Sequence, residues 1–423
     1  MTFSTDPGGA AGRSARDGDA LRRCIALPAD EFAREYWGRR PLLTRAAELP
    51  GAVTDLLSVA AVDELVSRRG LRTPFLRMAK QGSVLPAGRF TRSGGTGATI
   101  GDQVADDKVL AELSDGATLV LQALHRTWPP LVDFGSRLAA ELGHPVQINS
   151  YVTPAQNQGF AAHYDTHDVF VLQVSGRKRW IIHEPVIADP LPEQTWEQRR
   201  DEVTARAAEP ALLDVTLEPG DVLYLPRGYL HAATALGELS IHLTVGIHPV
   251  SRYTLIRELV ASAAADPALR ASLPMGVDLS DESVIAPLLA EAGRVLAEAV
   301  AEPDAARVGA VAARVGSQLT RNTRPAPIAP LAQAAAITAL DAHSPVRLRA
   351  GLRVKVRHED GDLVITGLDR SITLPAGQQG AVKQAVSGAV FTPAELVELS
   401  TEDAVSLVRR LLRAAVLVPV DGD

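Results

Sequence analysis

Cysteine is almost absent from this sequence, and so is any excess of positive charge. One cysteine, Cys24, stands in 423 residues, so no disulfide can form within the chain and zinc sites built from several cysteines are excluded. The 43 Lys and Arg residues are outnumbered by 50 Asp and Glu, and the net charge of -7 gives no general attraction to polyanions. We therefore expect no direct binding of nucleic acid, and we expect a reducing, cytoplasmic location.

Long apolar runs are also missing. No run approaches the roughly 18 apolar residues that are needed to cross a bilayer, so no membrane association is expected. Residues 1–20 contain Gly, Ser, Asp and Arg but lack the apolar centre of a signal peptide, and we expect them to be disordered. The composition is 46% hydrophobic and 22% charged, which indicates a globular protein of two or three domains.

The hydrophobic pattern changes along the chain and predicts the order of domains. Residues 21–116 mix helical stretches with turns and form a lead-in module. Residues 117–250 consist of short Val-, Leu- and Ile-rich runs separated by Gly, Pro or Asp, which predicts a barrel or sandwich of strands. Residues 251–342 are rich in Ala, Leu and Glu at helical spacing. Residues 343–423 read as strands followed by short helices.

Two segments of the strand-rich region suggest a metal site. His163 and Asp165 lie two residues apart, and the alternation of a strand would direct both side chains to one face. Downstream, residues 219–233 (PGDVLYLPRGYLHAA) contain the pattern Gly, five residues, Pro, one residue, Gly, two residues and His231. Two imidazoles and one carboxylate are the ligands that non-haem Fe(II) oxygenases use, because they leave positions open on the metal.

Less specific interpretations of these histidines exist. A His-x-Asp pair occurs by chance in many chains, and a single His after a Pro-Arg-Gly turn is more often a surface residue than a ligand. The combination of both within a strand-rich region favours the metal site. Of the remaining histidines nearby, His167 is expected to have a structural role or to support the ligands. His242 and His248 are expected to pack in the interior or to line a pocket.

Several segments resemble the cupin-type Jumonji-C family, in particular its ribosomal oxygenases. They are NSYVTP, HYDTHDVFVLQVSGRKRW, LPRGYLHAA, SIHLT and, earlier in the chain, REYWGRRPLL. The resemblance covers most of residues 31–250. It implies an α+β protein built on a double-stranded β-helix, the cupin jelly roll, with flanking helices. It further implies a homodimer formed by helices in residues 251–342 and a winged-helix-like module in residues 343–423.

The resemblance also implies that 2-oxoglutarate is a cosubstrate. In that family a basic residue fifteen positions after the first ligand histidine anchors the far carboxylate, and this residue is Lys178 here. A cation in the barrel wall is suited to pair with such a dianion. Without the resemblance, residues 177–179 (Arg-Lys-Arg) would be interpreted as a solvated hairpin.

Three further residues match cosubstrate positions of the family, although each could be an ordinary strand residue. They are Asn149, Tyr151 and Thr244. Gly246 departs from the family, since relatives often have a hydroxyl residue two places after the threonine. The hydrogen bonding at that end of the pocket is therefore expected to differ.

The predicted activity is hydroxylation of a His or Arg side chain of a ribosomal protein, with Fe(II), 2-oxoglutarate and O2. Two alternatives remain open: an oxygenase that modifies a natural-product precursor peptide, and a metal-binding cupin sensor without turnover whose tail contacts DNA. Residues 346–423 contain ten basic and ten acidic residues, which is not the basic surface that DNA binding needs. Demethylation of a methylated lysine is chemically reachable from the same site but ranks below stable hydroxylation.

Overall fold

The computed structural model describes residues 3–4, 19–80, 82–97, 99–157, 161–301, 303–367 and 370–420. The chain divides into two compact units. One comprises Met1–His248 with Pro325–Asp423, and the other comprises Pro249–Arg324. Residues 1–2 and 5–18, most of the segment predicted to be disordered, lie outside the described residues.

Short strands and helices open the first unit. In chain order they are β1 (Phe3–Ser4), α1 (Asp19–Arg22), α2 (Ala29–Glu35), β2 (Leu42–Thr44), α3 (Val59–Arg68), β3 (Leu76–Lys80), β4 (Ser83–Val84), β5 (Thr91–Arg92), β6 (Gln103–Val104), α4 (Asp106–Ser114), β7 (Thr118–Leu121), α5 (Leu124–Thr127) and α6 (Pro129–Leu142). Local sequence sets several ends. Ser58 caps α3 by accepting a hydrogen bond from Ala61 N. Prolines begin α6, and Gly143 ends it in the left-handed conformation.

An antiparallel sheet forms the centre of this unit. The next elements are β8 (Val146–Thr153), β9 (Asp168–His183), α7 (Arg200–Ala207), β10 (Leu213–Leu217), β11 (Val222–Leu225) and β12 (Leu230–Ile247). The nine-stranded sheet has the order β2-β11-β9-β12-β8-β7-β3-β4, with β10 paired to β9. Strands β9 and β12 pair along nearly their whole lengths. They lie at the middle of the sheet, with β11 and β2 beyond β9 and with β8, β7, β3 and β4 beyond β12.

Within VFVLQVSGRKRW the chain forms a bulge in a continuous strand. The pairing of β9 with β12 shifts register between Leu236 and Ile241. Gly176 lies opposite this shift with φ +62°, and a side chain there would collide with the carbonyl oxygen of Leu239. Buried Gln173 donates hydrogen bonds to the carbonyls of residues 175 and 176 across the bulge. The strand therefore bends without breaking.

The first half of β9 is buried on both faces. Phe170 and Leu172 belong to the main hydrophobic core, whereas Val169 and Val171 belong to a second cluster. This explains why the segment VFVL is a continuous apolar run, because a strand covered on both sides needs no polar face.

Residues 249–324 form a unit of helices. They are α8 (Arg252–Ala263), α9 (Pro267–Arg270), α10 (Glu282–Val300) and α11 (Ala305–Asn322). Each begins after a Ser or Asp whose side chain accepts a backbone hydrogen bond. Glu258 of α8 pairs with Arg314 of α11 at 3.2 Å, within this unit.

The C-terminal part has the mixture of strands and helices expected from its sequence. Its elements are α12 (Pro330–Ala339), β13 (Val346–Leu348), β14 (Val354–Glu359), β15 (Asp362–Gly367), β16 (Arg370–Pro375), α13 (Gln379–Ala385), α14 (Thr401–Arg413) and β17 (Leu417–Pro419). Leu407 and Leu411 bury the apolar face of α14. The winged-helix assignment and the predicted domain boundaries stay predictions. Among the described helices, none is long and apolar enough to cross a membrane.

Candidate metal centre

The three predicted ligands lie together. His163, Asp165 and His231 each offer a ligand atom, and these atoms lie within 4.8 Å of one another. Nε2 of His231 is 3.7 Å from Oδ2 of Asp165, and the two imidazole centroids are 4.4 Å apart. Residues that are 66 to 68 positions apart in sequence thus converge on one point, as the motifs predicted.

Backbone hydrogen bonds hold the two segments side by side. His231 N donates to His163 O at 2.8 Å, and His163 N donates to His231 O at 3.2 Å. Gly228 N donates to Asp165 O at 3.0 Å. The strand predicted for His163 and Asp165 is wrong, since the segment has only this isolated bridge. The side chains still alternate in direction over these three residues. Tyr164, which lies between the two ligands, is buried in a separate hydrophobic cluster.

The imidazoles are held in the tautomer that a metal requires. Nδ1 of His163 lies 2.8 Å from Ala161 O, and Nδ1 of His231 lies 3.1 Å from Tyr229 O. A carbonyl oxygen only accepts, so each Nδ1 carries the hydrogen and each Nε2 keeps its lone pair. Two such nitrogens and one carboxylate fit a divalent iron with open coordination positions.

The charge states of the ligands also suit a metal. Burial acts to raise the pKa of the Asp165 carboxyl, but neighbouring histidines, with His167 foremost, hold that pKa below its ordinary value of 3.8. Burial, assisted by His163, lowers the pKa of His231 to about 4. At neutral pH the site therefore presents a carboxylate and a neutral imidazole, the forms that bind metal without losing a proton.

A cavity of about 100 Å³ adjoins the three ligands. Its other lining residues come largely from alternate positions of β8, β9 and β12: Gln147, Asn149, Tyr151, Thr153, Lys178, Trp180, His242, Thr244 and Gly246. All four residues predicted to bind 2-oxoglutarate are in this set. His167 from the ligand segment also lines the cavity. The volume suits a small cosubstrate more than a large ligand.

Lys178 is buried and does not lie in a solvated hairpin. It is 3% exposed, whereas its neighbours Arg177 and Arg179 point outward from β9. Lys178 Nζ donates to Thr153 Oγ1 at 3.0 Å. Within the described part of the chain no carboxylate forms an ion pair with it. Burial lowers the pKa of Lys178 to about 7, so the ammonium lacks the anion that would stabilise its charge.

The other residues predicted to bind the cosubstrate also make contacts within the protein. Asn149 Oδ1 accepts a hydrogen bond from Ala123 N at 3.0 Å, which anchors the start of α5. The Tyr151 ring stacks on His242 with centroids 5.1 Å apart. Thr244 lies opposite Asn149 in the β8–β12 register. All three face the cavity, and their cosubstrate roles stay predictions.

The remaining nearby histidines are His167, His242 and His248, and two of them line the cavity. His242 lines the cavity, and its pKa lies well below 6.5 because of burial and nearby Lys178. His248 contacts the His167 ring, with centroids 5.1 Å apart. Trp180 was missed as a lining residue, although its position two residues after Lys178 on the same strand puts both on one face.

Comparison with known proteins finds a matching family model and several relatives. Residues 133–255 match the family model of the JmjC domain. The chain is 32% identical to ribosomal oxygenase 1 of Gallus gallus over 264 residues, which is 62% of this chain and 42% of the relative. It is 31% identical to the bifunctional lysine-specific demethylase and histidyl-hydroxylase NO66 of Culex quinquefasciatus over 240 residues, 54% of this chain and 34% of the relative. The chain thus spans less than half the length of these relatives.

Solved structures with the same fold include YcfD of Escherichia coli. One YcfD structure matches with a TM-score of 0.55 and 18% identity, covering 93% of this chain and 98% of YcfD. Another, described as a ribosomal oxygenase in complex with cobalt and 2-oxoglutarate, matches with a TM-score of 0.51 and 17% identity, covering 94% and 99%. The predicted cupin-type fold with a large antiparallel sheet and helices is therefore confirmed, as is the resemblance to the Jumonji-C group.

Proposed function

We propose that this chain, whose residues 133–255 are a JmjC domain, is an Fe(II)- and 2-oxoglutarate-dependent oxygenase that hydroxylates a protein side chain. One observation supports this most strongly. The cluster of His163, Asp165 and His231 adjoins a cavity that also contains the buried ammonium of Lys178. Metal ligands and a buried cation in one small cavity suit a cosubstrate that chelates the metal at one end and carries a carboxylate at the other.

The three ligands would hold iron through His163 Nε2, His231 Nε2 and the Asp165 carboxylate. Bound iron, with 2-oxoglutarate and O2, supplies the oxidising power that converts a C–H bond to C–OH while the cosubstrate becomes succinate and CO2. The protein contributes placement. The bridge between His163 and His231 fixes the distance between their imidazoles, and the hydrogen bonds of each Nδ1 fix the direction of each ring.

Lys178 would bind the far carboxylate of 2-oxoglutarate. Its Nζ already contacts the Thr153 hydroxyl, which fixes its direction, and the surrounding strands exclude water. An arriving carboxylate would supply the missing counter-charge and favour the protonated amine. Asn149, Tyr151 and Thr244 would complete the wall along which the cosubstrate lies.

The proposed substrate is a His or Arg side chain of a ribosomal protein. Support comes from relatives named as ribosomal oxygenases and as a histidyl-hydroxylase. The net charge of -7 also suits a basic partner, since opposite charges speed association. Modification of a natural-product precursor peptide is the alternative. It would be favoured if ribosomal proteins are not modified.

We also propose that the chain acts in the cytoplasm as a homodimer. In this proposal the helices of residues 251–342 form the dimer contact, and residues 343–423 form a winged-helix-like module. The equal numbers of acidic and basic residues between 346 and 423 favour a role for this module in contacting protein over DNA.

The activity can be tested without knowing the substrate. Purified protein supplied with Fe(II) and 2-oxoglutarate in air should form succinate slowly and bind one metal ion per chain. His163→Ala, Asp165→Ala and His231→Ala should each abolish succinate formation and weaken metal binding. His343→Ala, at an exposed histidine of the C-terminal part, is the matched control and should match the parent. Full succinate formation by Asp165→Ala would refute the ligand assignment.

The substrate needs a separate experiment. Intact masses of all ribosomal proteins should be compared between a deletion strain and its parent. One ribosomal protein that is lighter by one oxygen in the deletion strain would support the proposed target, and the modified residue can then be located by peptide mapping. Identical masses across the full set would reject ribosomal proteins and favour the peptide-pathway alternative.

A further inference from the structure

The cavity has two chemically different ends along strand β8. Thr153, which contacts Lys178, pairs with Ser240, whereas Gln147 pairs with Gly246. The six residue-to-residue steps from Thr153 to Gln147 correspond to about 20 Å of extended strand. The first end contains the buried cation. The opposite end, which we call the Gln147 end, contains neutral polar groups and is remote from the proposed carboxylate anchor.

At the Gln147 end, Gly246 leaves room for the ring of His167. A Cβ atom at position 246 would lie 3.1 Å from Cε1 of His167, 3.3 Å from its Nδ1 and 3.4 Å from its Nε2. Contacts of 3.1 to 3.4 Å are tighter than ordinary van der Waals contact, so a side chain at position 246 would require the His167 ring to move by a few tenths of an ångström. The imidazole of His167 thus lies against the space that a side chain at position 246 would occupy.

The orientation of His167 is fixed from two sides. Its ring meets the ring of His248 at 64° with centroids 5.1 Å apart. Its Nδ1 lies 3.2 Å from the backbone carbonyl of Asp168. Because a carbonyl oxygen cannot donate, Nδ1 carries the hydrogen and Nε2 is a hydrogen-bond acceptor. His167 is thus a pre-positioned acceptor in the cavity wall, two positions after Asp165.

Gln147 adds a second acceptor at this end. Its Nε2 donates to Asn149 Oδ1 at 3.5 Å, which leaves the amide oxygen as an acceptor and the second N–H as a donor. Gln147 and His167 both line the cavity. Two acceptor atoms in the wall of the cavity that adjoins the metal ligands suit a side chain that is rich in N–H donors, and an aliphatic side chain would leave both acceptors unpaired.

We propose that His167 is a specificity-determining residue that accepts a hydrogen bond through Nε2 from a nitrogen-bearing substrate side chain, a guanidinium or an imidazole. The role rests on the proposed oxygenase function and deepens it. Lys178 and the β8 wall then select the cosubstrate, while His167, in the space opened by Gly246, selects the side chain that reaches the metal.

A binding experiment can test this role without turnover. The protein is loaded with Co(II) and 2-oxoglutarate, and the visible absorption of the metal is followed during titration with blocked amino acids. The probes are N-acetyl-arginine methylamide and N-acetyl-histidine methylamide, with N-acetyl-norleucine methylamide as the probe without donors. We expect at least one donor probe to bind the parent protein at least tenfold more tightly than norleucine does. His167→Ala should remove this preference, and His343→Ala should retain it.

A second position separates recognition from a purely structural role. Gly246→Ser should shift the His167 ring and lower donor-probe affinity in the same direction as His167→Ala does. The double variant should lose no more than His167→Ala alone, because both substitutions act on one contact. In His167→Ala the loss of donor-probe affinity should exceed any change in 2-oxoglutarate affinity at least fivefold. Equal losses for both ligands would indicate a structural role and overturn the proposal.

The outcomes also separate this proposal from the proposed function. Absence of succinate formation with Fe(II) in the parent protein would count against the oxygenase but leaves the Co(II) titration decisive for His167. Equal binding of all three probes by the parent, or an unchanged preference in His167→Ala, would refute the role of His167 whatever the outcome with Fe(II).

Discussion

At the scale of single residues, burial decides the chemistry of the site more than residue type does. The chain contains Arg177, Lys178 and Arg179 in succession, yet only the middle residue is buried. Arg179 forms an exposed ion pair with Asp214 on the outside of the sheet. Lys178 has a hydroxyl partner and a depressed pKa. Of these three consecutive basic residues, Lys178 is therefore placed to bind a ligand, whereas Arg177 and Arg179 are exposed on the outer face.

Replacing Lys178 tests the proposed carboxylate anchor. Lys178→Ala should raise the KM for 2-oxoglutarate about ten- to hundredfold, because a hydrogen bond to a charged group contributes about 1.5–3 kcal/mol. Metal binding should change little. Arg179→Ala is the matched control, since it removes a neighbouring cation from the outer face. The measurement is succinate formation at varied 2-oxoglutarate, and equal KM values for Lys178→Ala and the parent would contradict the anchor.

The pKa of Lys178 also predicts a pH dependence. Burial lowers that pKa from 10.5 to about 7 in the ligand-free protein, so the amine is mostly protonated below pH 7 and mostly neutral above it. A dianion binds the protonated form, and its affinity should fall with rising pH above about 7 by at most about tenfold per pH unit. The KM for 2-oxoglutarate should be nearly constant from pH 6 to 7 and rise from pH 7 to 9. In Lys178→Ala this rise should disappear, and a flat profile in the parent would contradict the prediction.

At the scale of elements, the ligands are placed by the junctions between strands. Asp168 opens strand β9 three residues after Asp165, and its carboxylate is fully buried. It accepts hydrogen bonds from Tyr224 Oη at 3.0 Å and from Arg227 N at 3.0 Å. Arg227 belongs to the turn that leads to His231. One carboxylate therefore links the start of β9 to the turn before β12, and so links the two halves of the metal site.

Removal of this link should destabilise the protein and weaken the metal site. Asp168→Ala removes the acceptor of the buried Tyr224 hydroxyl and of Arg227 N, and should lower the free energy of unfolding by about 1–3 kcal/mol for each donor left unpaired. Metal affinity should fall as well, because the turn before His231 loses its anchor. Asp214→Ala, which removes an exposed ion pair, is the control and should leave both quantities unchanged. Urea denaturation and metal titration provide the measurements, and a parent-like stability of Asp168→Ala would refute this role.

At the scale of the whole molecule, the helical unit of residues 249–324 exposes many apolar side chains. Ile256 is 54% exposed and Leu289 is 67% exposed within this unit. Contiguous exposed apolar surface marks interaction sites in proteins that are otherwise well packed. A second copy of the chain is the partner that the sequence resemblance implies.

A dimer formed through this unit should be sensitive to charge. We expect the parent protein to have the mass of a dimer in light scattering at micromolar concentration. Ile256→Asp and Leu289→Asp should shift it towards the monomer, because a carboxylate is costly to bury in an apolar contact. Leu110→Asp, at an exposed position of α4 outside this unit, is the control and should remain dimeric. A monomeric parent would reject the dimer.

The sequence by itself determined much of the architecture and predicted the ligand set. The two motifs that contain His163, Asp165 and His231 predicted a metal site, and the structure brings the three residues together. The apolar periodicity indicated the strands and the helices that follow them. These features are local in sequence, so local patterns can report them.

Only the tertiary structure decided which polar residues meet. The run at 177–179 could not be distinguished from a solvated hairpin until β10 and β12 were seen on either side of β9. The His167 ring lies against Gly246, although the two residues are 79 positions apart in sequence. No hydrophobic periodicity predicts this contact. Burial and cross-strand contact depend on which elements become neighbours. That choice is made by packing of the whole chain, so it leaves little trace in any short segment.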